Sequence, residues 1–137
     1  MVRSSGILLP ITSIPSPYGI GTFGRKAYEF IDFLHDAGQT WWQLLPLGPT
    51  GYGDSPYATF STYAGNPYFI DLPQLRLDGL LTEEELLENR HDTPRVDYGW
   101  LFQTRYAVLR AAFARFVPDR AYRAFVKKNA AWLEKYS

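Results

Sequence analysis

Two short apolar runs with a helical segment between them constrain the fold of this chain more than any other feature. The first run is Ile7-Leu8-Leu9, which ends at Pro10, and the second covers residues 40–45, which end at Pro46. Each run predicts a short buried strand. A strand, a connecting helix and a second strand form a βαβ unit, so the two strands are expected to be parallel.

The segment between the runs predicts the connecting helix. Its apolar residues recur at helical spacing and share one face: Ala27, Phe30, Ile31 and Leu34. We expect this helix to run from about Arg25 to Ala37. Gly38 is expected to end it, because glycine tolerates the left-handed conformation that terminates many helices.

The C-terminal part of the chain predicts a helical lobe beside the βαβ unit. Thr82 followed by Glu85 is a capping-box pattern for a short helix. Asp97 is expected to cap a long helix to about Val117, and Asp119 to open a last helix. The apolar stripe of the long helix is Phe102, Tyr106, Leu109, Phe113 and Phe116, and that of the last helix is Tyr122, Phe125, Leu133 and Tyr136.

Composition excludes several classes of function. Lys plus Arg and Asp plus Glu are both 14, so the chain has no electrostatic reason to bind nucleic acid or an anionic membrane. The absence of cysteine excludes disulfides, thiolate zinc sites and a thiol nucleophile. His91 has no partner at metal-ligand spacing, so neither a metal nor another cofactor is expected. With no segment that predicts a signal peptide or a membrane span, a cytoplasmic location is expected.

Aromatic residues are 17% of the chain, with ten Tyr, nine Phe and four Trp. Tyr and Trp combine an apolar ring with a polar tip. That combination suits a carbohydrate site, because a sugar ring stacks its C–H face on an aromatic plane. The alternative, that many of these rings fill helix interfaces, stays open.

The segment after the second run contains a candidate site. Residues 47–72 predict a loop of a length that is uncommon in compact domains and usually functional. Its glycines and prolines can aim Tyr52 and Tyr57 as rigid aromatic plates, and Asp54 and Ser55 can hydrogen-bond sugar hydroxyls. A structural Ω-loop uses similar residues, and the Asp54 carboxylate can instead cap local backbone amides.

Several stretches of the sequence together carry a family pattern. They are residues 44–57 (LLPLGPTGYGDSPY), residues 64–68 (AGNPY) followed by Asp71-Leu72, residues 6–10 (GILLP) with residues 18–21 (YGIG), and Val96-Asp97-Tyr98. This pattern resembles the amylomaltases, the 4-α-glucanotransferases or disproportionating enzymes of glycoside hydrolase family 77. The resemblance covers nearly the whole chain.

The resemblance implies an α/β fold, a partial (β/α)8 TIM barrel. Residues 1–78 would hold its first two strands, first helix and substrate-contacting loops, and residues 79–137 a truncated helical subdomain. The implied activity transfers α-1,4-glucan segments to glucose or another maltodextrin by a retaining double displacement that uses two carboxylates. In the family a third carboxylate assists, and all three lie beyond Ser137. The chain alone is therefore expected to be inactive, and its expected partners are maltodextrin and the missing C-terminal part of the barrel.

The resemblance also implies substrate contacts. Tyr57 would stack on the sugar just before the scissile bond, and Ser55 would hydrogen-bond sugar. Tyr52 matches an aromatic residue of a second, more remote glucan groove. Phe102 stands where some relatives have a tyrosine in that groove, which keeps stacking and loses a hydroxyl.

Two other classes of function remain open beside an enzyme fragment. One is a stand-alone α-glucan-binding module, which the aromatic loop allows without catalytic carboxylates. The other is a structural piece that complements a catalytic half. Within the chain, Asn66 and Asp71 are expected to fix loops and His35 to face solvent.

Overall fold

A computed structural model describes residues 3–136 of the chain. Its strands are β1 (Gly6–Leu8) and β2 (Trp41–Gln43), and its helices are α1 (Arg25–Asp36), α2 (Leu72–Leu77), α3 (Glu83–Glu88), α4 (Tyr98–Arg115) and α5 (Arg120–Tyr136). Short 3-10 helices cover Ile11–Ser13 and Pro67–Phe69. Across this part of the chain, no helix has the length and apolar character to cross a membrane.

The βαβ unit is confirmed. β1 and β2 pair in parallel, with Gly6 opposite Trp41 and Leu8 opposite Gln43, and α1 connects them. The backbone amide of Leu9 extends the pairing by donating to the Gln43 carbonyl over 3.1 Å. The loops that follow the two strands therefore leave the sheet at the same edge.

The prediction that both strands are buried is wrong for the described residues. All three residues of β1 are exposed, and Trp41 in β2 is 65% exposed. Only Trp42 packs well, because its indole meets the Phe30 ring of α1 edge-on at 5.1 Å and donates to the Leu9 carbonyl. A sheet of two strands with one adjoining helix has too few neighbours to bury both of its faces.

The buried core residues lie in the loops after the strands and in the helices, and of the sheet residues Trp42 packs against them. A first core cluster consists of Ile11, Ile20, Tyr68, Phe69 and Leu101. A second core cluster consists of Leu72, Leu81, Leu86, Val108 and Ala112. Both clusters draw on α4, so this helix joins the C-terminal part to the loops of the βαβ unit.

The predicted helix starts are confirmed. The Thr82 hydroxyl accepts from the Glu85 amide while the Glu85 carboxylate accepts from the Thr82 amide, which is a complete capping box. Asp97 caps α4 by accepting from the Trp100 amide at 2.9 Å. The Asp119 carboxylate likewise accepts from an amide three residues on, that of Tyr122, at 2.7 Å.

The predicted apolar stripe of α4 is wrong in part, because Leu109 packs against the second core cluster while other members are exposed. Phe102 and Phe113 are 74% and 69% exposed. The buried face consists instead of Leu101, Arg105, Val108 and Ala112. Apolar residues occur all around this helix, so the clusters it meets, and not its periodicity, decide which side is buried. The last helix, α5, buries none of its described residues, so its predicted face is not a core face either.

Arg105 is the unexpected member of the buried face of α4. Its side chain is 1% exposed and donates from Nη2 to the Tyr18 carbonyl at 2.6 Å. Burial lowers the pKa of its guanidinium to about 10, so the group stays charged at neutral pH. Arg105 thereby ties α4 to the loop that follows β1.

The corrected orientation of α4 can be tested with neighbouring residues. Leu101→Ala should lower the free energy of unfolding by about 2–5 kcal/mol, because it leaves a cavity at a fully buried site. Phe102→Ala is the matched control and should change it by less than about 0.5 kcal/mol, since that ring is exposed. Urea unfolding followed by circular dichroism measures both. An equal loss for Phe102→Ala would show that the stripe expected from the sequence faces the core.

Candidate functional site

The segment 47–66, called here the 47–66 loop, follows β2 and is closed at two levels. At its base the Asn66 amide donates to the Leu47 carbonyl over 2.8 Å. Further along, Thr50 and Thr59 form an isolated antiparallel bridge. The predicted long loop is therefore a compact Ω-type structure, and Thr50 and Thr59 define the base of its tip.

Two consecutive turns shape the tip. The Asp54 amide donates to the Gly51 carbonyl at 3.2 Å, and Gly53 between them has a φ of 93°. Asp54 itself has a φ of 54°, an uncommon conformation that Asp tolerates better than most residues. In the second turn the Ala58 amide donates to the Ser55 carbonyl, and the Ser55 hydroxyl accepts from the Tyr57 amide at 3.3 Å.

The tip turns two tyrosine rings outward. Tyr52 is fully exposed and Tyr57 is 73% exposed. Asp54 and Ser55 are half-buried between them. The structure thus has four of the five predicted site residues on one short stretch, with both aromatic rings exposed.

The fifth predicted site residue, Phe102, lies on α4. Its ring is exposed, and no aromatic stack among residues 3–136 joins it to Tyr52 or Tyr57. Phe102 therefore presents an exposed aromatic ring on α4 that makes no ring stack with the tip.

Asp54 lies in the tip and also borders an internal cavity. It lines a cavity of about 100 Å³ together with Asn66 and Tyr98. Burial raises the pKa of the Tyr98 hydroxyl, and the Asp54 carboxylate raises it further. Because Tyr98 opens α4, this cavity links the tip of the 47–66 loop to the helix that carries both core clusters.

Asn66 and Asp71 fix the loop, as expected. The Asn66 side chain is buried and accepts from the Tyr68 amide at 3.0 Å. The Asp71 carboxylate caps α2 by accepting from the Gln74 amide at 3.1 Å, and its other oxygen accepts from the Thr22 hydroxyl. This last bond joins the loop after β1 to the loop after β2.

A contact with α5 is a part of the site that the sequence did not predict. Phe60 stacks on Tyr136 with centroids 6.1 Å apart and planes 7° apart, and Tyr63 stacks on Trp132 at 5.9 Å and 19°. A cavity of about 580 Å³ lies between the two segments. The i, i+4 spacing of Trp132 and Tyr136 is the sequence signal for a shared face, but it does not reveal the partner.

One of the two histidines is packed on an aromatic ring and the other is exposed. The His91 ring stacks on the Trp100 indole at 4.3 Å, and His35 is exposed, as expected. Within the described part of the chain, no group of three or more His, Cys, Asp or Glu side chains is arranged to hold a metal ion.

Comparison with known proteins identifies the family. A family model for 4-alpha-glucanotransferases matches residues 9–137. The chain belongs to this family. Curated 4-alpha-glucanotransferases from Clostridium butyricum and Thermus thermophilus are 48% and 47% identical over 93% and 98% of this chain. These findings confirm the resemblance seen in the motifs.

The likeness to the family extends to three dimensions. An amylomaltase from Streptococcus agalactiae, solved in complex with acarbose, matches with a TM-score of 0.83 and 39% identity over 97% of this chain. The chain spans 27–28% of the length of the two curated relatives and 27% of that amylomaltase chain. The mixed α/β class with two parallel strands is confirmed for this chain, and its structure is close to that of the amylomaltase.

The positive φ of Gly53 offers a test of the tip. Gly53→Ala should lower the free energy of unfolding by about 1–2 kcal/mol, because L-residues are strained in the left-handed region. Gly65→Ala is the matched control on the same loop, since both glycines have open space around the added methyl and only Gly53 has a positive φ. Thermal unfolding compares them. Equal effects would mean that the turn at the tip is not rigid.

Proposed function

We propose that this chain supplies the glucan-contacting rim of a 4-α-glucanotransferase, which transfers α-1,4-glucan segments to glucose or another maltodextrin. The observation that carries the proposal is the closed tip after β2, with Tyr52 and Tyr57 exposed on two hydrogen-bonded turns. Loops at the carboxyl ends of parallel strands form the active sites of α/β barrels. Family membership supplies the class of substrate.

We further propose that β1, α1 and β2 begin a (β/α)8 barrel, with residues 79–137 as a helical subdomain inserted into it. The exposed faces of both strands support this, because each residue of β1 and the Trp41 ring lack neighbours that a closed barrel provides. The remainder of such a barrel is then the expected protein partner of this chain. A cytoplasmic location is part of the same proposal.

Each residue of the tip has a proposed role in the transfer. The Tyr57 ring stacks on the sugar before the scissile bond and orients it. The Ser55 hydroxyl, which accepts from the Tyr57 amide, keeps its proton free to donate to a sugar hydroxyl or the ring oxygen. Tyr52 and Phe102 hold a more distant part of the glucan, and Asp54 accepts from a sugar hydroxyl at the rim.

The catalytic carboxylates are proposed to come from outside these residues. A retaining mechanism needs a nucleophile and a general acid whose pKa is raised. In this chain Asp71, Asp97 and Asp119 are occupied in helix caps. Hydrogen bonds from Arg115 and from the Thr82 amide lower the pKa of the Glu85 carboxyl to about 2, which is the wrong direction for a general acid.

The rim assignment predicts glucan binding that depends on Tyr57. Titration calorimetry with maltoheptaose should show binding to the chain and an affinity loss of roughly tenfold in Tyr57→Ala, the scale of one well-formed aromatic contact. Tyr57→Phe should retain most of the affinity. Tyr28→Ala is the matched control, because Tyr28 is similarly exposed but lies on α1. No binding, or an equal loss in the Tyr28 variant, would contradict the role of the rim.

If the catalytic carboxylates come from outside these residues, the 137-residue chain alone does not transfer glucan. Incubation with maltotriose should release no glucose and no longer dextrins above the blank, because the nucleophile and the general acid are proposed to come from outside these residues. Chromatography of the products checks this. Any turnover that disappears with a carboxylate variant of this chain would place catalysis within it.

A stand-alone α-glucan-binding module is the second candidate. The exposure of both Tyr52 and Tyr57 favours it, because these rings are available without any other part of a barrel. The two candidates differ in one outcome. A module has its full affinity in this chain alone, whereas a rim gains affinity and activity when the rest of a barrel is co-expressed.

A further inference from the structure

The 47–66 loop, within residues 1–78, contacts α5, within residues 79–137. The contact consists of two nearly parallel ring pairs, Phe60 on Tyr136 and Tyr63 on Trp132. Stacked pairs at such separations favour one relative orientation of the two rings. On the loop side, the contact begins at Phe60, three residues after Tyr57.

The α5 side of the contact is itself held in place. The Trp132 indole donates from Nε1 to Oδ1 of Asn129 at 2.9 Å, and the Asn129 amide nitrogen donates to the Phe125 carbonyl at 2.8 Å. Trp132 also meets Tyr136 edge-on, at 6.2 Å and 66°. These contacts hold the two rings in place relative to their own helix.

The loop side transmits this position to the tip. The Ser61 hydroxyl accepts from the amides of Tyr63 and Ala64, at 3.2 and 3.0 Å, and the Thr59 hydroxyl donates to the Ser61 carbonyl at 2.9 Å. Thr59 in turn pairs with Thr50 across the base of the tip. Local hydrogen bonds thus connect the backbone at Tyr63, whose ring stacks on Trp132, through Ser61 to Thr59 at the bridge.

Close packing at Gly48 makes this path stiff. A Cβ at Gly48 would lie 2.2 Å from the Thr59 hydroxyl oxygen and 2.8 Å from the Ser61 carbonyl oxygen. The start of the loop therefore contacts the same two residues that link the stacks to the bridge. Because Gly48 leaves no space beside these residues, a shift of the ring pairs would also move Thr59.

We propose that Trp132 and Tyr136 are positioning residues for the glucan rim. By stacking on Tyr63 and Phe60 they keep the Thr50–Thr59 bridge closed and hold Tyr57 in the orientation that receives a sugar. Neither residue contacts the glucan. The inference rests on the proposed function for its role in glucan binding, whereas the mechanical coupling to the bridge stands on the contacts alone.

Hydrogen exchange measured by mass spectrometry tests the coupling in the whole chain. Trp132→Ala should speed amide exchange in residues 50–59 by roughly three- to tenfold, the range expected for loss of one aromatic pair. Trp132→Phe should restore most of the protection. Phe125→Ala is the matched control, because Phe125 lies on α5, is 52% exposed and takes no part in the two stacks.

A second variant keeps the test decisive if Trp132→Ala does not fold. Tyr63→Ala breaks the same pair from the loop side and should raise exchange in residues 50–59 by a similar factor. The double variant should add little to either single change, because both remove one contact. Unchanged exchange at 50–59 in a folded Trp132 or Tyr63 variant, or an equal rise in Phe125→Ala, would overturn the inference.

Maltoheptaose binding separates this inference from the proposed function. Trp132→Ala should weaken binding and speed exchange together, whereas Tyr57→Ala should weaken binding and leave exchange at Thr50 and Thr59 unchanged. If the chain binds no glucan while the exchange results hold, the rim assignment fails and the coupling stands. If binding falls only with Tyr57→Ala, the rim stands and α5 does not position it.

Discussion

The Asp71 carboxylate joins parts of the molecule that a two-stranded sheet cannot hold together. One oxygen accepts from the Thr22 hydroxyl in the loop after β1, and the other caps α2 after the 47–66 loop. Gly24 lies so close to this carboxylate that a side chain there would meet it at 2.1 Å. The first core cluster is built from the loops on either side of this junction and from α4, and the second from α2, α3 and α4 with Leu81, so the junction lies where the two clusters adjoin.

Because most of the core lies outside the sheet, the two strands contribute little to the conformation of the loops that follow them. The strands are short and exposed, so they set the direction in which the loops leave but cannot fix the conformation of those loops. The 47–66 loop is ordered instead by its own bonds, at Leu47–Asn66 and Thr50–Thr59, and by the ring pairs with α5. This loop therefore also contacts a helix that is far from it along the chain, and in our proposal that helix positions the glucan rim.

Local features of this fold were predictable from the sequence. A cap needs only a short polar side chain and an amide three residues later, so Thr82, Asp97 and Asp119 were identified without tertiary information. The same holds for the extent of α1 and for the closely spaced residues of the tip. The burial of the strands and the buried face of α4 were predicted wrongly, because both depend on which other segments are present to cover them.

By itself, the sequence determined the family, the order of the two strands and of α1, α3, α4 and α5, and the stretch that holds Tyr52 and Tyr57. These follow from contiguous motifs and from interactions within a few residues. Only the tertiary structure decided that Leu101 and Arg105, and not Phe102, face the core, and that Trp132 and Tyr136 meet the 47–66 loop. The physical reason is that a periodic pattern specifies a face of a helix, whereas the partner of that face is selected by packing between segments distant along the chain.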